Sequence, residues 1–448
     1  MKIDKNLWVL VFICVINSMG FGIIVPLLYD YGKKFGLTGQ TIGILTASFS
    51  VAQFFATPLL GALSDKWGRK PLLAISLAGT CASFLLFATA QSLVMLFAAR
   101  ILDGITGGNI SVAQAMVSDT STPENRAKRF GILGSAFGFG FVLGPAMGGL
   151  LSKLGMQVPF YFAAGIALVG ALCATFVLKE TRGSSESGER RIETRDKNQE
   201  TSEEIESRVQ NQDSKEAQEQ GADRRQPTAN HIPQSIDHSQ QKTESRKQKT
   251  GLFNFASLVT ALKIPVIGTA VFTGFLLTMA QFVMIIGFQT FSVDELKIKP
   301  EHIGLLYAGF GITGIIMQLG VPLINKFISS KSVILSLSTI VCLAAMFFAG
   351  FTKTLIPFAA CIFVYGLFNG LRNPMLNAII ADRNSDDEQG EILGVNQSYA
   401  SVGQTLGPIA AGLITAVSVH AVFFLSAFFI LMGFLLTFRL KAKEKQYT

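Results

Sequence analysis

The chain has 448 residues, of which 49% are hydrophobic and only 15% charged, and it contains 37 Phe and 43 Gly. This composition excludes a soluble globular protein and is typical of closely packed membrane helices, in which glycine lets helix backbones approach each other. The formal net charge of +8 would fit a nucleic-acid-binding protein, but its distribution along the chain argues otherwise.

The sequence predicts twelve membrane spans, because a bilayer-spanning helix needs about 20 mostly apolar residues. The first six are predicted at Leu7–Tyr29, Thr41–Leu63, Pro71–Ala90, Leu93–Ser118, Phe130–Leu151 and Pro159–Leu178. The second six are predicted at Pro265–Phe291, His302–Ile324, Ser332–Phe351, Thr354–Ala381, Ile392–Val417 and Ala421–Leu440.

Lysine and arginine are concentrated in the loops of one membrane side. Cytoplasmic loops carry an excess of these residues, so the bias sets the orientation of the chain. It places on the cytoplasmic side Lys2, Lys5, Lys66, Arg69, Lys70, Arg126, Lys128, Arg129, Lys326, Lys331, Arg439, Lys441, Lys443 and Lys445. Both termini are therefore predicted to be cytoplasmic, and the basic excess is a topology signal rather than a nucleic-acid surface.

The turn between spans two and three reads Gly61-Ala-Leu-Ser-Asp-Lys-Trp-Gly-Arg-Lys70. Gly61 and Gly68 remove side chains where two helices turn, and Asp65 and Arg69 can each form an ion pair. Taken alone, the turn could equally be an ordinary basic loop. In span one, Asn17 is expected either to face a cavity or to hold two helices together.

Span four contains Arg100 and Asp103, which share a helix face at a spacing of three residues. Ionisable groups inside the bilayer are costly and mark function by default. The alternative is a structural ion pair that orients the helix. Span five carries a stripe of small residues around a proline that would kink the helix, at Gly140, Gly144, Pro145, Gly148 and Gly149.

Residues 180–250 are dominated by Glu, Gln, Ser, Arg, Lys and Asp and cannot bury enough apolar surface to fold. We expect a disordered cytoplasmic linker there. It would join an N-terminal six-helix bundle at 1–179 to a C-terminal six-helix bundle at 251–448.

The second half repeats the first. Thr41–Phe49 aligns with His302–Phe310, and Gly144–Leu150 aligns with Gly407–Leu413, so that Pro408 corresponds to Pro145. Two copies in the same orientation imply two bundles related by an axis along the membrane normal, with a binding site between them. The repeat favours a transporter over a channel or a receptor.

The second half also carries polar residues inside its spans. Gln281 lies in span seven, and span ten contains Arg372, Asn373 and Asn377. We expect Arg372 either to bind an anionic group of a substrate or to pair with Asp103. The predicted cavity is built from Asn17, Arg100, Asp103, Gln281, Arg372, Asn373 and Asn377.

With these motifs, the chain resembles the major facilitator superfamily, in particular its twelve-span drug:proton antiporters and most closely the tetracycline-efflux-like branch. The resemblance rests on Gly61–Leu73, on Arg100–Gly107, on Gly140–Gly149 and on the region from Asp386 to Pro408. It implies an all-α fold with two six-helix bundles and alternating access to a central site.

The resemblance also implies roles for single residues. Gly61, Asp65, Gly68 and Arg69 would form a latch on the cytoplasmic side, in which Arg69 pairs with Asp119. Asp65 would contact the start of span eleven when the cytoplasmic gate is closed. Gly140–Gly149, with Gly407 and Pro408, would be the antiporter signature.

Two departures from the tetracycline exporters argue against tetracycline itself as the substrate. Those exporters carry acidic residues where this chain has Asn17 and, in span three, near Ser83. Proton coupling would then run through Asp103.

The sequence thus predicts a monomeric, proton-coupled exporter of a small organic molecule in a bacterial inner membrane. An importer or facilitator of a nutrient or metal chelate is the first alternative. A non-transporting scaffold or receptor, with the linker as its docking segment, is the second. No cofactor, metal site, nucleic-acid partner or catalytic constellation is predicted.

Overall fold

The structure is a computed structural model that describes residues 5–121, 123–181, 266–328, 330–381 and 389–444. It is helical throughout these ranges, with no β-strand among the described residues. The N-terminal half contains α1 Lys5–Lys33, α2 Gly39–Trp67, α3 Arg69–Ala88, α4 Leu93–Thr106, α5 Asn109–Asp119, α6 Pro123–Leu151 and α7 Val158–Phe176.

The C-terminal half begins with α8 Ile267–Thr290, which continues into a π-helical turn at Phe291–Glu295. It then contains α9 Pro300–Leu319, α10 Val321–Phe327, α11 Lys331–Ala349, α12 Leu355–Asn369, α13 Arg372–Ala381, α14 Gln389–Thr415 and α15 Val419–Glu444. The linker predicted at 180–250 lies outside the described residues except at its first two positions, 180 and 181. The span-ten-to-eleven loop from Asp382 to Glu388 lies outside them too.

The prediction of an all-α membrane protein is confirmed. In the described part of the chain, 11 helical segments are long and apolar enough to cross a bilayer. They correspond to every predicted span except the eleventh, which forms the 27-residue helix α14. Polar residues at 396–398, 401, 404 and 405 lower its hydropathy, and its packing against α2 and α8 keeps this polar segment away from a purely lipid environment.

Three spans that the sequence predicts as continuous are interrupted. Span four divides into α4 and α5 at Gly107 and Gly108, and span ten divides into α12 and α13 at Gly370 and Leu371. Span eight divides at Gly320. The backbone nevertheless stays in the right-handed helical region at Gly107, Gly108, Gly320 and Gly370.

Glycines on α6 let this helix lie directly against α1. A Cβ on Gly144 would come within 2.7 Å of the Gly22 Cα, and a Cβ on Gly148 would come within 2.8 Å of the Ile23 carbonyl oxygen. Gly140 meets the Ser18 hydroxyl in the same way. The four-residue spacing of these three glycines therefore forms a backbone-to-backbone interface inside the N-terminal half.

We call the side of the bundle where α1 ends and α2 begins the distal side, and the opposite side, where α1 begins and α15 ends, the terminal side. On the distal side the halves meet at two equivalent contacts. Gly304 of α9 lies against the Pro145 carbonyl of α6, and Gly43 of α2 lies against the Pro408 carbonyl of α14. The repeat aligns Gly43 with Gly304 and Pro145 with Pro408, so one motif produces both contacts. We refer to this pair of contacts as the distal clasp.

A second pair of glycines extends the distal clasp. A Cβ on Gly149 would come within 3.0 Å of the Gly304 Cα, and a Cβ on Gly412 would come within 3.2 Å of the Gly43 Cα. Any larger side chain at these positions would push the two halves apart.

Helices α6 and α9 diverge from the distal clasp toward the terminal side. A Cβ on Gly138 would be 3.9 Å from the nearest Ile315 carbon, and around Gly134 and Gly131 nothing lies within 4 Å. The described residues are therefore closed on the distal side and separated between these helices on the terminal side.

A tight turn at Gly68 joins α2 to α3, with a backbone φ of 101° that favours glycine. Helix α3 begins immediately afterwards, and the Glu180 carboxylate accepts hydrogen bonds from the backbone N–H groups of Arg69 (3.0 Å) and Lys70 (3.1 Å). A carboxylate in this position satisfies free N–H groups of the first helical turn and interacts favourably with the helix dipole. Glu180 thus ties the end of the N-terminal half to the charged turn.

We predict that Gly304→Ala opens the distal side, because its methyl group would meet the Pro145 carbonyl and the Gly149 Cα. The measurement is the spin-label distance between cysteines at positions 34 and 299, in a variant without the native cysteines. We expect the distance distribution to shift to longer values. The matched control is Gly134→Ala, whose methyl group meets open space; equal distances in the two variants would contradict the prediction.

We predict that Glu180→Ala lowers the free energy of unfolding by about 1 kcal/mol, the usual loss for a helix cap. Thermal unfolding in detergent measures the change. Glu295→Gln, an exposed carboxylate without a cap contact, serves as the control and should leave stability unchanged. A Glu180→Ala protein as stable as wild type would show that the two hydrogen bonds contribute nothing.

Candidate functional site

A cavity of about 180 Å³ lies between the two halves. Its wall includes, from the N-terminal half, Gly138, Phe141 and Val142, and from the C-terminal half, Gln281, Arg372 and Asn373. The cavity lies on the terminal side of the distal clasp, where α6 and α9 diverge. Its position between the halves is the one that the internal repeat predicts.

Arg372 is the charged residue of this wall, and its side chain is held in place by three neutral acceptors. Its Nη2 donates to the Gln281 Oε1 at 2.6 Å, and its Nη1 donates to the Leu277 carbonyl oxygen at 2.9 Å. Its Nε donates to the Asn373 Oδ1 at 3.3 Å. Among the described residues no carboxylate forms an ion pair with Arg372, so the alternative in which it pairs with Asp103 is not what the structure has.

Arg100 and Asp103 form a buried ion pair on α4, with 3.5 Å between the Arg100 Nη1 and the Asp103 Oδ2. The three-residue spacing predicted this contact. Arg100 is 1% exposed, and its Nε and Nη1 have no hydrogen-bond partner within the described part of the chain. A buried ion pair whose hydrogen bonds are incomplete is costly, which is unusual for a purely structural pair.

Two phenylalanines separate this ion pair from the cavity. The Arg100 guanidinium lies 4.9 Å from the Phe49 ring centroid and 5.9 Å from that of Phe21. Phe21 in turn packs against Phe141 of the cavity wall, with 5.5 Å between ring centroids. The pair is therefore one aromatic layer away from the cavity, held by cation–π contacts.

The structure divides the seven predicted cavity residues among separate places. Gln281, Arg372 and Asn373 line the cavity, whereas the other four are not among its wall residues. Asn17 accepts a hydrogen bond from Asn109 at 3.3 Å, and Asn377 accepts one from Asn396 at 3.2 Å. Asn17 thus joins α1 to α5, which agrees with the helix-joining alternative rather than with a cavity-facing role.

The polar contacts of the two halves are related by the repeat. Asn109 is the first residue of α5 and bonds to α1, while Arg372 is the first residue of α13 and bonds to α8. The second helices of spans four and ten therefore each begin beside a polar residue of the first helix of their own half. The sequence alignment of the halves did not extend to these positions, because their residue types differ.

The charged turn forms the ion pairs for which its residue types are suited. The Arg69 Nη1 lies 2.7 Å from the Asp65 Oδ1, and the Arg69 Nε lies 3.1 Å from the Asp119 Oδ2. Arg69 also donates to the Ser64 hydroxyl at 2.6 Å. Around Gly61 nothing lies within 4 Å. The side chains at the start of α14, where Asp65 is expected to dock in another state, lie outside what the structure describes.

Sequence reasoning missed a cluster on the distal side. Asp294 accepts hydrogen bonds from the Tyr29 hydroxyl at 2.5 Å and from the Lys33 ammonium at 2.6 Å, which links the end of α1 to the turn after α8. It also missed the role of Glu180. Both residues lie just beyond predicted spans, where a carboxylate looks like ordinary loop polarity.

Family comparison identifies the chain's relatives. A sequence model of the Major Facilitator Superfamily matches residues 10–352 and 270–447. Multidrug resistance protein 2 of Bacillus subtilis is 26% identical over 431 residues, which cover 95% of this chain and 92% of that protein. The class C tetracycline resistance protein of Escherichia coli is 27% identical over 424 residues, covering 93% and 91%. Quinolone resistance protein NorA of Staphylococcus aureus is 23% identical over 424 residues, covering 93% and 92%.

Solved structures share the fold at low sequence identity. An inward-facing, unoccupied bacterial homologue of the human lysosomal transporter Spinster superposes with a TM-score of 0.71 at 12% identity, covering 99% of this chain and 98% of that one. The human organic anion transporter MFSD10 gives a TM-score of 0.63 at 18% identity, covering 98% and 100%. The chain therefore belongs to the Major Facilitator Superfamily and is a multi-pass membrane transporter, not an enzyme.

Proposed function

We propose that the protein exports a small organic molecule from the bacterial cytoplasm in exchange for protons, working as a monomer in the inner membrane. The observation that carries this proposal is the Arg100–Asp103 pair, which is buried, incompletely hydrogen-bonded and one aromatic layer from the cavity. A charge pair of this kind is poised to change its protonation state when the environment of the cavity changes.

The orientation of the cavity follows from the topology. With both termini in the cytoplasm, as the distribution of Lys and Arg predicts, the terminal side faces the cytoplasm. The conformation described here, closed at the distal clasp, is then open inward, a state that exporters and importers both pass through. The direction of transport rests instead on the relatives named as multidrug, quinolone and tetracycline resistance proteins, which favour export over import.

Asp103 is the group that would bind and release the proton. In the described conformation it faces Arg100, and a proton on its carboxylate would leave that cation without its partner. A substrate that displaces Phe21 or Phe141 would change the packing over the pair. Proton binding and substrate binding would thereby be coupled through two packed aromatic rings.

The charged turn would act as a latch of the cytoplasmic gate. Arg69 connects Asp65 at the end of α2 with Asp119 at the end of α5, so the turn holds three helix ends of the N-terminal half together. The corresponding turn of the C-terminal half, Asn325–Lys331, lacks the Asp and both glycines. We propose that the latch belongs to one half only.

We predict that Asp103→Asn lowers proton-driven export by about tenfold or more, because an amide cannot carry the proton. The measurement is accumulation of a fluorescent quinolone in inverted membrane vesicles under a pH gradient, with and without a protonophore. Glu295→Gln is the control, since it removes an exposed carboxylate in the turn after α8, outside the cavity wall. Wild-type rates of gradient-driven export in Asp103→Asn would exclude this residue as the coupling group.

We predict that Asp65→Lys slows transport while ligand binding stays measurable. A lysine at this position would replace the ion pair to Arg69 with a repulsion beside Lys66 and Lys70. Transport rate and equilibrium binding of the same quinolone are compared in one preparation, with Lys66→Gln as a control that changes charge but not the ion pair. An unchanged transport rate would mean that the turn is not a latch.

A further inference from the structure

The cavity wall contains a buried positive charge without a compensating negative one. Arg372 is 8% exposed, and the other buried charged side chains of the described residues are Arg100 and Asp103, which pair with each other. The acceptors of Arg372 are a backbone carbonyl and two side-chain amides, all of them neutral. A cation buried inside a membrane bundle is costly unless an anion joins it.

The hydrogen bonds of Arg372 also determine which polar groups of Gln281 and Asn373 remain available to bind a ligand. An arginine side chain only donates, so Gln281 and Asn373 must turn their amide oxygens toward it. Their NH₂ groups are then left to donate, and no hydrogen bond among the described residues uses either amide nitrogen. The guanidinium has five N–H groups, of which these contacts use only some.

A further feature favours an anion at this place. No carboxylate is among the described residues that line the cavity. The group bound here must therefore supply acceptor oxygens and negative charge together.

The rest of the wall combines apolar and aromatic residues with two further side-chain amides, Gln318 and Asn369. Phe141 of the N-terminal half and Phe310 of the C-terminal half both line the cavity. Aromatic rings on both sides suit a flat apolar body, whereas the donors of Arg372, Gln281 and Asn373 suit a carboxylate. In the described conformation the Arg100 guanidinium, one layer away, is paired with Asp103 and does not compete for the anion.

We propose that the transported molecule is an aromatic carboxylate whose carboxylate group binds to Arg372, Gln281 and Asn373. This inference rests on the proposed function, because it names the substrate class of the same cavity. Arg372 both attracts the carboxylate and orients the two amides that complete the site. A neutral molecule of the same shape lacks the charge and leaves a buried cation unpaired.

The test is equilibrium binding of two matched probes, 2-naphthoate and 2-naphthamide, to the purified full chain in detergent. They differ only in carboxylate against primary amide. We expect wild type to bind naphthoate about tenfold more tightly than naphthamide, as for one charge-assisted hydrogen bond. Inorganic phosphate, which lacks the aromatic body, should not compete at the same concentration.

Variants of Arg372 distinguish the effect of its charge on binding from an effect on folding. Arg372→Gln should lower naphthoate affinity about tenfold and abolish the discrimination, whereas Arg372→Lys should retain a weaker preference for naphthoate. The control is Lys326→Gln, which removes an exposed positive charge of the same half outside the cavity and should change nothing. If Arg372→Gln does not fold, the affinities of wild type and of Arg372→Lys for naphthoate and naphthamide still test the proposal.

Several outcomes would overturn the proposal. They are equal affinity of wild type for the two probes, no binding of naphthoate, competition by phosphate as effective as by naphthoate, or undiminished naphthoate binding in folded Arg372→Gln. These readouts need no transport, so the inference and the proposed function fail separately. Gradient-driven export with equal binding of both probes refutes only the substrate class, whereas selective naphthoate binding without gradient-driven flux refutes only the proton-coupled export.

Discussion

The contact between a glycine and a proline carbonyl, made twice on the distal side, is the constraint on which the rest of the structure depends. Gly43 against Pro408 and Gly304 against Pro145 bring α2 to α14 and α6 to α9 at backbone distance. Because α6 and α9 diverge from that point, a cavity forms on the terminal side. The same two contacts must separate if the distal side is ever to open. They therefore close the distal side in this conformation.

Much of this arrangement could be predicted from the sequence, because it depends on local patterns and on the repeat. Span number, the all-α fold and the pairing of Arg100 with Asp103 follow from hydropathy and helical spacing. The repeat also aligned the segments that carry the glycines and prolines of the distal clasp. It could not show their partners, because an internal alignment relates Gly43 to Gly304 but not to the carbonyl that each one meets in the other half.

The candidate site was predicted less well, for a physical reason. A polar residue in a span may line a cavity, join two helices or pair with a charge, and all three reduce hydropathy equally. Asn17 and Asn377 turned out to bond to neighbouring asparagines, while Gln281 and Asn373 turned their oxygens toward Arg372. Which of these happens depends on helix rotation and on the breaks at Gly107 and Gly370, which no periodicity revealed.

The buried charged side chains occupy two separate places in the transporter, and each place is suited to a different ligand. Arg100 and Asp103 stay together behind Phe21 and Phe49, where a single proton changes their net charge. Arg372 stands alone in the cavity, oriented by neutral acceptors. One place is suited to a proton and the other to an anion, and packed phenylalanines connect them.

The most direct test of the account is a reversible cross-link across the distal side. A Cβ on Gly39 would lie 3.4 Å from the Thr415 Cβ, close to the separation that a disulfide requires, so Gly39→Cys with Thr415→Cys should form one in a background without native cysteines. We expect the oxidised protein to bind ligand but not to transport it, and reduction to restore transport. The claim that the distal clasp must open would be contradicted if the fully cross-linked protein transported ligand as fast as the same protein does after reduction.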